Sequence, residues 1–490
     1  MKMASLIRSL RWLLLFVCLL LVGLVARTFW FSTTAPAPSP GLAQSLTPWS
    51  STQRMAALGR LQQAIRYRTI SQDDTQLLDT TQFAGFRRFL AASYPLTHQQ
   101  LQPRLLGGGT LLFTWPGRSV GPGTVLLAHQ DVVPVEDSAQ WAYPPFGGVV
   151  ARDSIWGRGV TDNKANLIAQ LEAIESLLQE GYSPTHPVYL VLGHDEEVGG
   201  WRGAGRAAAW LKSRQLPLAR VLDEGGFITR RRVPGMQGRP VALVGTAEKG
   251  FLTVELVARA PGGHASMPAA ETAPDLLLSA LQQLRHHPFP AQLTEPMQQL
   301  AGHIGPHLPW PQRLAFANRW LMEPLILRGY AATPAGAAAV RTTLAPVRLQ
   351  AGTKDNVVPS EARARINLRL LPGYSVATTL QQLRALLPDS SRVHLLVVGR
   401  PAEPTAMPAR SASADYELIA SSLPSRALVT PFLMVGQTDA RHFTGLTRQV
   451  FRFGPMSDPA GFHARDEHLA VSSFYEGMRF YRHYLKNLPE

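Results

Sequence analysis

Five short clusters along this 490-residue chain combine histidines and carboxylates in ways that could hold metal ions and activate water. In His129-Gln130-Asp131 an imidazole can ligate a metal while the nearby carboxylate orients its ring; alone, the pair is a weak signal, more often a structural contact. Gly157-Arg158-Gly159-Val160-Thr161-Asp162-Asn163-Lys164 is a glycine-punctuated turn that sets Asp162 before a helix, either as a cap or as a carboxylate bridging two cations. In His194-Asp195-Glu196-Glu197 two adjacent glutamates repel unless solvent or cations neutralise them. If one ligates a metal, its neighbour can serve as general base toward a water held there; the plain alternative is an exposed acidic turn. Asp223-Glu224-Gly225-Gly226 repeats the pattern, and Gly461-Phe462-His463-Ala464-Arg465-Asp466-Glu467-His468 adds a distant imidazole. Singly these mean little. Together they supply a nitrogen and oxygen donor set suited to zinc, cobalt or manganese, in which a metal pair acidifies a shared water.

The first four clusters each follow an element that can position them. Short β-type runs (Thr124 to Ala128, Val188 to Leu192, Arg220 to Leu222) alternate with helical ones (Ala165 to Glu180, Ala204 to Arg214). The pattern predicts βα units around a largely parallel sheet, where ligands gather at strand carboxyl ends. Near Gly245 it changes. Residues 250 to 400 read as strand, helix, a long apolar insertion, two strands, helix and strand, the β-α-β-β-α-β order of a ferredoxin-like domain. The expected organisation is catalytic segments 51–245 and 402–490 around a lid domain at 246–401, with its insertion at 287–340.

Composition narrows the class. Apolar residues at 45% and charged residues at 17% exclude a mainly disordered chain. The net charge of +14 is mostly arginine and unclustered, with no run longer than Arg230-Arg231-Arg232, so no nucleic-acid partner is expected. The single cysteine, Cys18, excludes disulfides and cysteine-based zinc sites from the body. Lys2, Arg8 and Arg11 precede an apolar run from Trp12 to Ala26, an export signal within residues 1–32, followed by a Pro-rich linker at 33–50. A cleaved signal peptide and a retained transmembrane anchor both fit. The poor cleavage triplet Ala35-Pro36-Ala37 and the aromatic trio Phe29, Trp30 and Phe31 favour the anchor, with the body outside the cytoplasm.

The ordered set His129-x-Asp131, Gly157-Arg158-Gly159 to Asp162, Asp195-Glu196-Glu197, Asp223-Glu224-Gly225 and His463 resembles the two-zinc aminoacylase and carboxypeptidase metallopeptidase family, over roughly residues 55 to 485. That family includes succinyl-diaminopimelate desuccinylase and glutamate carboxypeptidase. Trp141 to Phe146, Leu192 to Glu197, Leu222 to Ile228 and Gln437 to Arg441 are similar to the branch of yeast carboxypeptidase S and the secreted N-fatty-acyl-amino-acid synthase/hydrolase.

The resemblance implies an α/β fold: a mainly parallel-sheet zinc-peptidase catalytic domain carrying an inserted ferredoxin-like α+β lid, through which a homodimer can form. It implies two Zn2+ per subunit, with Co2+ or Mn2+ as substitutes, one held by His129 and Glu224, the other by Glu197 and His463, and Asp162 bridging. Asp223, beside Glu224, leaves the ligand at that corner open. Glu196 is the implied general base, Asp131 the partner of His129, and His264 in Gly262-Gly263-His264 the oxyanion donor, often across a dimer. Asn356 and Arg369 are implied to grip a substrate carboxylate, with Arg441 a weaker candidate. A cis peptide is implied at Asp162-Asn163. The activity expected is amide hydrolysis of N-acyl amino acids, long-chain ones being favoured by the apolar insertion with Trp310, Phe316, Trp320, Leu321, Leu325 and Ile326; reverse condensation is allowed. The alternatives are a carboxypeptidase or dipeptidase and, remotely, a metal-free binding protein.

Overall fold

A computed structural model of the chain describes residues 2–33, 48–236, 238–387, 391–405, 413–423 and 427–489. Most of the expected linker, including Ala35-Pro36-Ala37, lies outside the described residues. The described residues fall into two compact units, one drawn from 36–233, 238–249 and 403–490, the other from 1–35, 234–237 and 250–402.

The first unit is built on a nine-stranded sheet. Its centre is parallel: Gly123–His129 runs between Val188–Gly193 and Leu218–Asp223, and Val450–Arg452 continues beside the latter. These strands are buried on both faces, hence their unbroken apolar runs rather than an alternating pattern. The helix Ala165–Gln179 is almost wholly buried and shares a core with the C-terminal helix Val471–Lys486, whose Phe474, Met478, Tyr481 and Leu485 recur at helical spacing. A second core, including Val125, Val191, Ala207, Leu211 and Val221, forms with the helix Ala204–Ser213. The strand Val241–Glu248 extends the sheet through Gly245, where the sequence pattern had pointed to a break, and pairs in parallel with Leu428–Met434. A small three-stranded sheet joins Val149–Ala151, Ser154–Trp156 and His468–Ala470.

The second unit has an antiparallel sheet in the order Thr343–Ala351, Glu361–Leu370, Gly250–Arg259, Val393–Ala402, with the helices Ala273–His286 and Val376–Leu386. This is the ferredoxin-like arrangement. Glu361–Leu370 alternates buried and half-buried positions, so one face packs on the two helices through Leu252, Leu256, Leu276, Leu277, Ala364 and Leu383. The insertion is helical: Glu295–Ile304, Trp310–Ala317, Arg319–Ala331 and Pro334–Val340. The N-terminal helix Lys2–Phe29 belongs to this unit; its segment Leu6–Phe29, of mean hydropathy 2.4, is long and apolar enough to cross a membrane and is compatible with a signal or an anchor.

Candidate metal centre

In the first unit, the strand ends bring the acidic and histidine clusters together. His129 ends its strand, and its Nε2 lies 2.9 Å from Asp162 Oδ1 and 3.1 Å from Glu224 Oε1. On the other side of Asp162, Oδ2 lies 3.1 Å from His463 Nε2, which is also 3.1 Å from Glu197 Oε2. Asp162 thus divides its two oxygens between two triads, His129–Asp162–Glu224 and Asp162–Glu197–His463, each with its donor atoms within 4.8 Å of one another. The spacing and the mixed imidazole and carboxylate donors suit a pair of divalent cations.

Charge supports the same fit. Burial, helped by repulsion from Asp162, drives the Glu224 carboxyl up to about 8 against the pull of His129. Burial likewise raises Glu197 to about 7, again with repulsion from Asp162 and relief from the His463 hydrogen bond. Burial works against ionising Asp162 too, but hydrogen bonds from both histidines outweigh it and hold the group low. Glu196, one residue before Glu197, is pushed well above the ordinary carboxylate range by burial, with Glu197, Glu224 and Asp439 adding repulsion and His129 opposing. One oxygen of Glu197, Oε1, is buried without a hydrogen-bond partner. A concentration of buried carboxylates with an unsatisfied oxygen is a site that cations relieve.

The chain around the ligand side chains explains how they are held. The Asp162-Asn163 peptide is cis. Gly159 precedes it at φ +85°, and a Cβ there would sit 2.4 Å from Val132 Cγ1, so only glycine fits. Asp131 meets His129 Nδ1 through its backbone carbonyl at 2.9 Å, with a carboxylate oxygen 3.4 Å away. Its carboxylate also accepts the amides of Glu196 at 3.2 Å and Glu197 at 3.1 Å, so one residue ties the imidazole to the glutamate turn. At the open corner, Glu224 faces His129, whereas Asp223 accepts the amides of Ala440 at 2.6 Å and Glu224 at 2.8 Å. Gly225, at φ +112°, turns the chain away immediately after.

Glu467 had drawn no role from the sequence beyond its place in the His463 run. It is fully buried, and its oxygens accept Arg158 Nη1, the amides of Gly159, Thr161 and Asp162, and the Thr161 hydroxyl, at 2.7 to 3.2 Å. Lys164 is a second such support, its buried ammonium donating to Ala64 O at 3.0 Å and Tyr67 O at 2.7 Å. Arg441, a candidate for carboxylate binding, instead donates to the Gly199 carbonyl and lies over the Trp201 ring, bracing the turn after Glu197.

The remaining candidates belong to the second unit. His264 pairs across to Val357, its Nδ1 lies 2.8 Å from Ser266 Oγ, and Ala265 N donates to Asn356 O at 3.1 Å, so His264 and Asn356 are neighbours. Arg369 is elsewhere, opposite Phe251 near the far end of Glu361–Leu370, with its guanidinium 4.9 Å from that ring. The structure therefore does not bring Asn356 and Arg369 together within this unit.

Residues 125–487 match the peptidase family M20/M25/M40. The chain is 34% identical to a probable carboxypeptidase S-like 2 of Dictyostelium discoideum, covering 96% of this chain and 92% of that one. It is 33% identical to the N-fatty-acyl-amino acid synthase/hydrolase PM20D1 of Mus musculus, covering 91% and 90%. Its fold is similar to that of the M20 family metallo-carboxypeptidase Sso-CP2 from Sulfolobus solfataricus, with a TM-score of 0.64 at 18% identity over 88% of this chain and 98% of that one. A mostly parallel α/β sheet, two triads sharing one carboxylate and a match across most of the length lead to one conclusion: the chain belongs to the M20 peptidase family and is a metallohydrolase.

Proposed function

We propose that the protein hydrolyses the amide bond of N-acyl amino acids, long-chain ones in particular, using two zinc ions held by His129, Glu224, Asp162, Glu197 and His463. The observation that carries the chemistry is the division of Asp162 between the two triads. When bound, such a cation pair offsets the clustered carboxylates, acidifies a water and polarises the scissile carbonyl. Glu196 takes the water's proton on its carboxylate as the water oxygen bonds to the carbonyl carbon, and delivers it to the nitrogen of the leaving amine as the amide C–N bond breaks. Asp131 keeps the His129 ring and the Glu196 amide in register. His264 donates an N–H to the oxyanion, and Asn356 and Arg369 hold the free carboxylate, Arg through its planar fork.

Eight residues separate Glu361 from Arg369 along one strand, about 27 Å at strand rise, with His264 and Asn356 near the Glu361 end. That separation favours a dimer, in which one protomer supplies His264 and Asn356 and the other Arg369. The N-terminal helix serves as an anchor that keeps the catalytic body outside the cytoplasm.

The long-chain preference draws on the exposed Trp310, Trp320, Leu321 and Leu325 of the insertion and on likeness to the synthase/hydrolase relative. A second reading, a carboxypeptidase, draws on likeness to the carboxypeptidase S-like relative. Competitive hydrolysis by the full chain with zinc separates them: a long-chain N-acyl amino acid against a dipeptide with the same C-terminal residue. Faster acyl cleavage is expected, and faster dipeptide cleavage overturns the preference. Glu196→Gln should lower either rate by at least about 100-fold, and unchanged activity would remove it as the base.

A further inference from the structure

The N-terminal helix is fastened to the insertion by polar contacts that a disposable leader does not need. Both belong to the same compact unit. The amide of Asn318, fully buried, donates to Leu24 O at 3.1 Å and lies 3.2 Å from Thr28 Oγ1. Arg27 Nε donates to Ala317 O at 2.8 Å, closing the end of Trp310–Ala317. Arg313 donates to the carbonyls of Phe29 and Phe31, Thr33 donates to His303 O at 3.0 Å, and the Phe29 and Trp310 rings lie 5.2 Å apart. Leu24 and Thr28 are buried in this joint, whereas Trp12, Leu13, Leu14, Phe16, Leu19 and Val22 upstream are exposed. The apolar stretch Leu6–Phe29 has 24 residues, about 36 Å of helix, enough to cross a hydrocarbon core of about 30 Å. The joint therefore lies at the C-terminal end of that stretch.

Immediately after Asn318, the helix Arg319–Ala331 exposes Leu321, Pro324, Leu325 and Arg328 at the i, i+3, i+4, i+7 positions of one stripe, with Trp320 alongside at 62% exposure. A stripe of this kind, with tryptophan at its edge and arginine beside it, suits the boundary between acyl chains and phosphate headgroups.

We propose that the N-terminal helix is a permanent part of the folded enzyme, clamped at its outer end by the insertion, and that the stripe on Arg319–Ala331 rests on the lipid surface of the same bilayer. This rests on the reading of the helix as an anchor. It goes beyond that reading in giving the insertion two faces, one holding the helix and one touching lipid.

The test uses the full chain in lipid vesicles containing anionic phospholipid, with a tag before Met1, a protease site in segment 34–47, and Cys18, the only native cysteine, replaced by alanine. In T28C/N318C, a short thiol crosslinker should keep the tag joined to the body after protease cutting. In a separate arm, a fluorophore on L325C should lose about half its emission to lipids brominated along their acyl chains, while one on L278C, on the exposed side of Ala273–His286, should lose little. A tag already missing from the purified protein overturns the anchor reading and the inference together. A tag that is present but never crosslinks overturns the clamp, and equal quenching at the two labels overturns the lipid contact. Leu325 is 61% exposed, so the L325C arm remains decisive even where T28C/N318C fails to fold.

Discussion

The buried carboxylate of Glu467 collects the amides of Gly159, Thr161 and Asp162 together with Arg158, whose side chain is itself almost wholly buried. Glu467→Ala would strand a buried guanidinium and release the turn that presents Asp162. It should cost about 3–5 kcal/mol in urea unfolding and weaken zinc binding by about 10- to 100-fold; wild-type values for both would show that the turn holds itself. His442 offers a pH test away from the ligands. Burial, with Arg441 beside it, lowers its pKa from 6.5 to about 4, despite a hydrogen bond with Gly199 O. The unfolded chain therefore takes up this proton before the folded one does. Stability from His442 is full above pH 6.5 and lost as pH falls toward 4, on the order of 1–3 kcal/mol. His442→Gln should flatten that part of a Tm-against-pH profile, and an unchanged slope would contradict the assignment. At this scale the residues that meet around Asp162 were legible only as a set: each cluster alone has an ordinary structural use, but five in order match one metallopeptidase pattern. The supports were not: nothing in the spacing of Asp466-Glu467 tells that the second acid turns back toward Gly159.

Among the elements, Ala165–Gln179 directly follows the Asp162 turn and is buried along nearly all its length. Leu171→Ala, at a fully buried position, should cost about 2–5 kcal/mol by chemical denaturation; a cost below about 1 kcal/mol would mean the helix is less tightly packed than its burial indicates. The central strands were legible because strands buried on both faces must be apolar throughout, and the β-α-β-β-α-β order survived a long interruption. The helices of the insertion were not. Its many prolines obscure the helical period, yet Pro296, Pro311 and Pro334 each sit in the first turn of a helix, where a missing N–H costs nothing. Pro324 lies inside Arg319–Ala331, further masking its periodicity. The strands Val149–Ala151, Ser154–Trp156 and His468–Ala470 have three residues each, too few to show any alternation.

For the whole molecule, the centre exists only if distant segments close on one point. His129, Glu197 and Glu224 follow neighbouring strands of the large sheet, Asp162 comes from the turn after Ser154–Trp156 of the small one, and His463 arrives from the far end of the chain on a loop where it adopts φ +54°. Asp162 joins the two halves, so its loss should be felt at both. The most direct test is metal content: the protein stripped with chelator, reloaded with zinc and counted by mass spectrometry of the metal, as wild type, Glu224→Ala, Glu197→Ala and Asp162→Ala. The account predicts two zinc ions per chain in the wild type, about one in each glutamate variant and fewer than one in Asp162→Ala. A single zinc in the wild type, or two retained without Asp162, would contradict a centre built on one shared carboxylate.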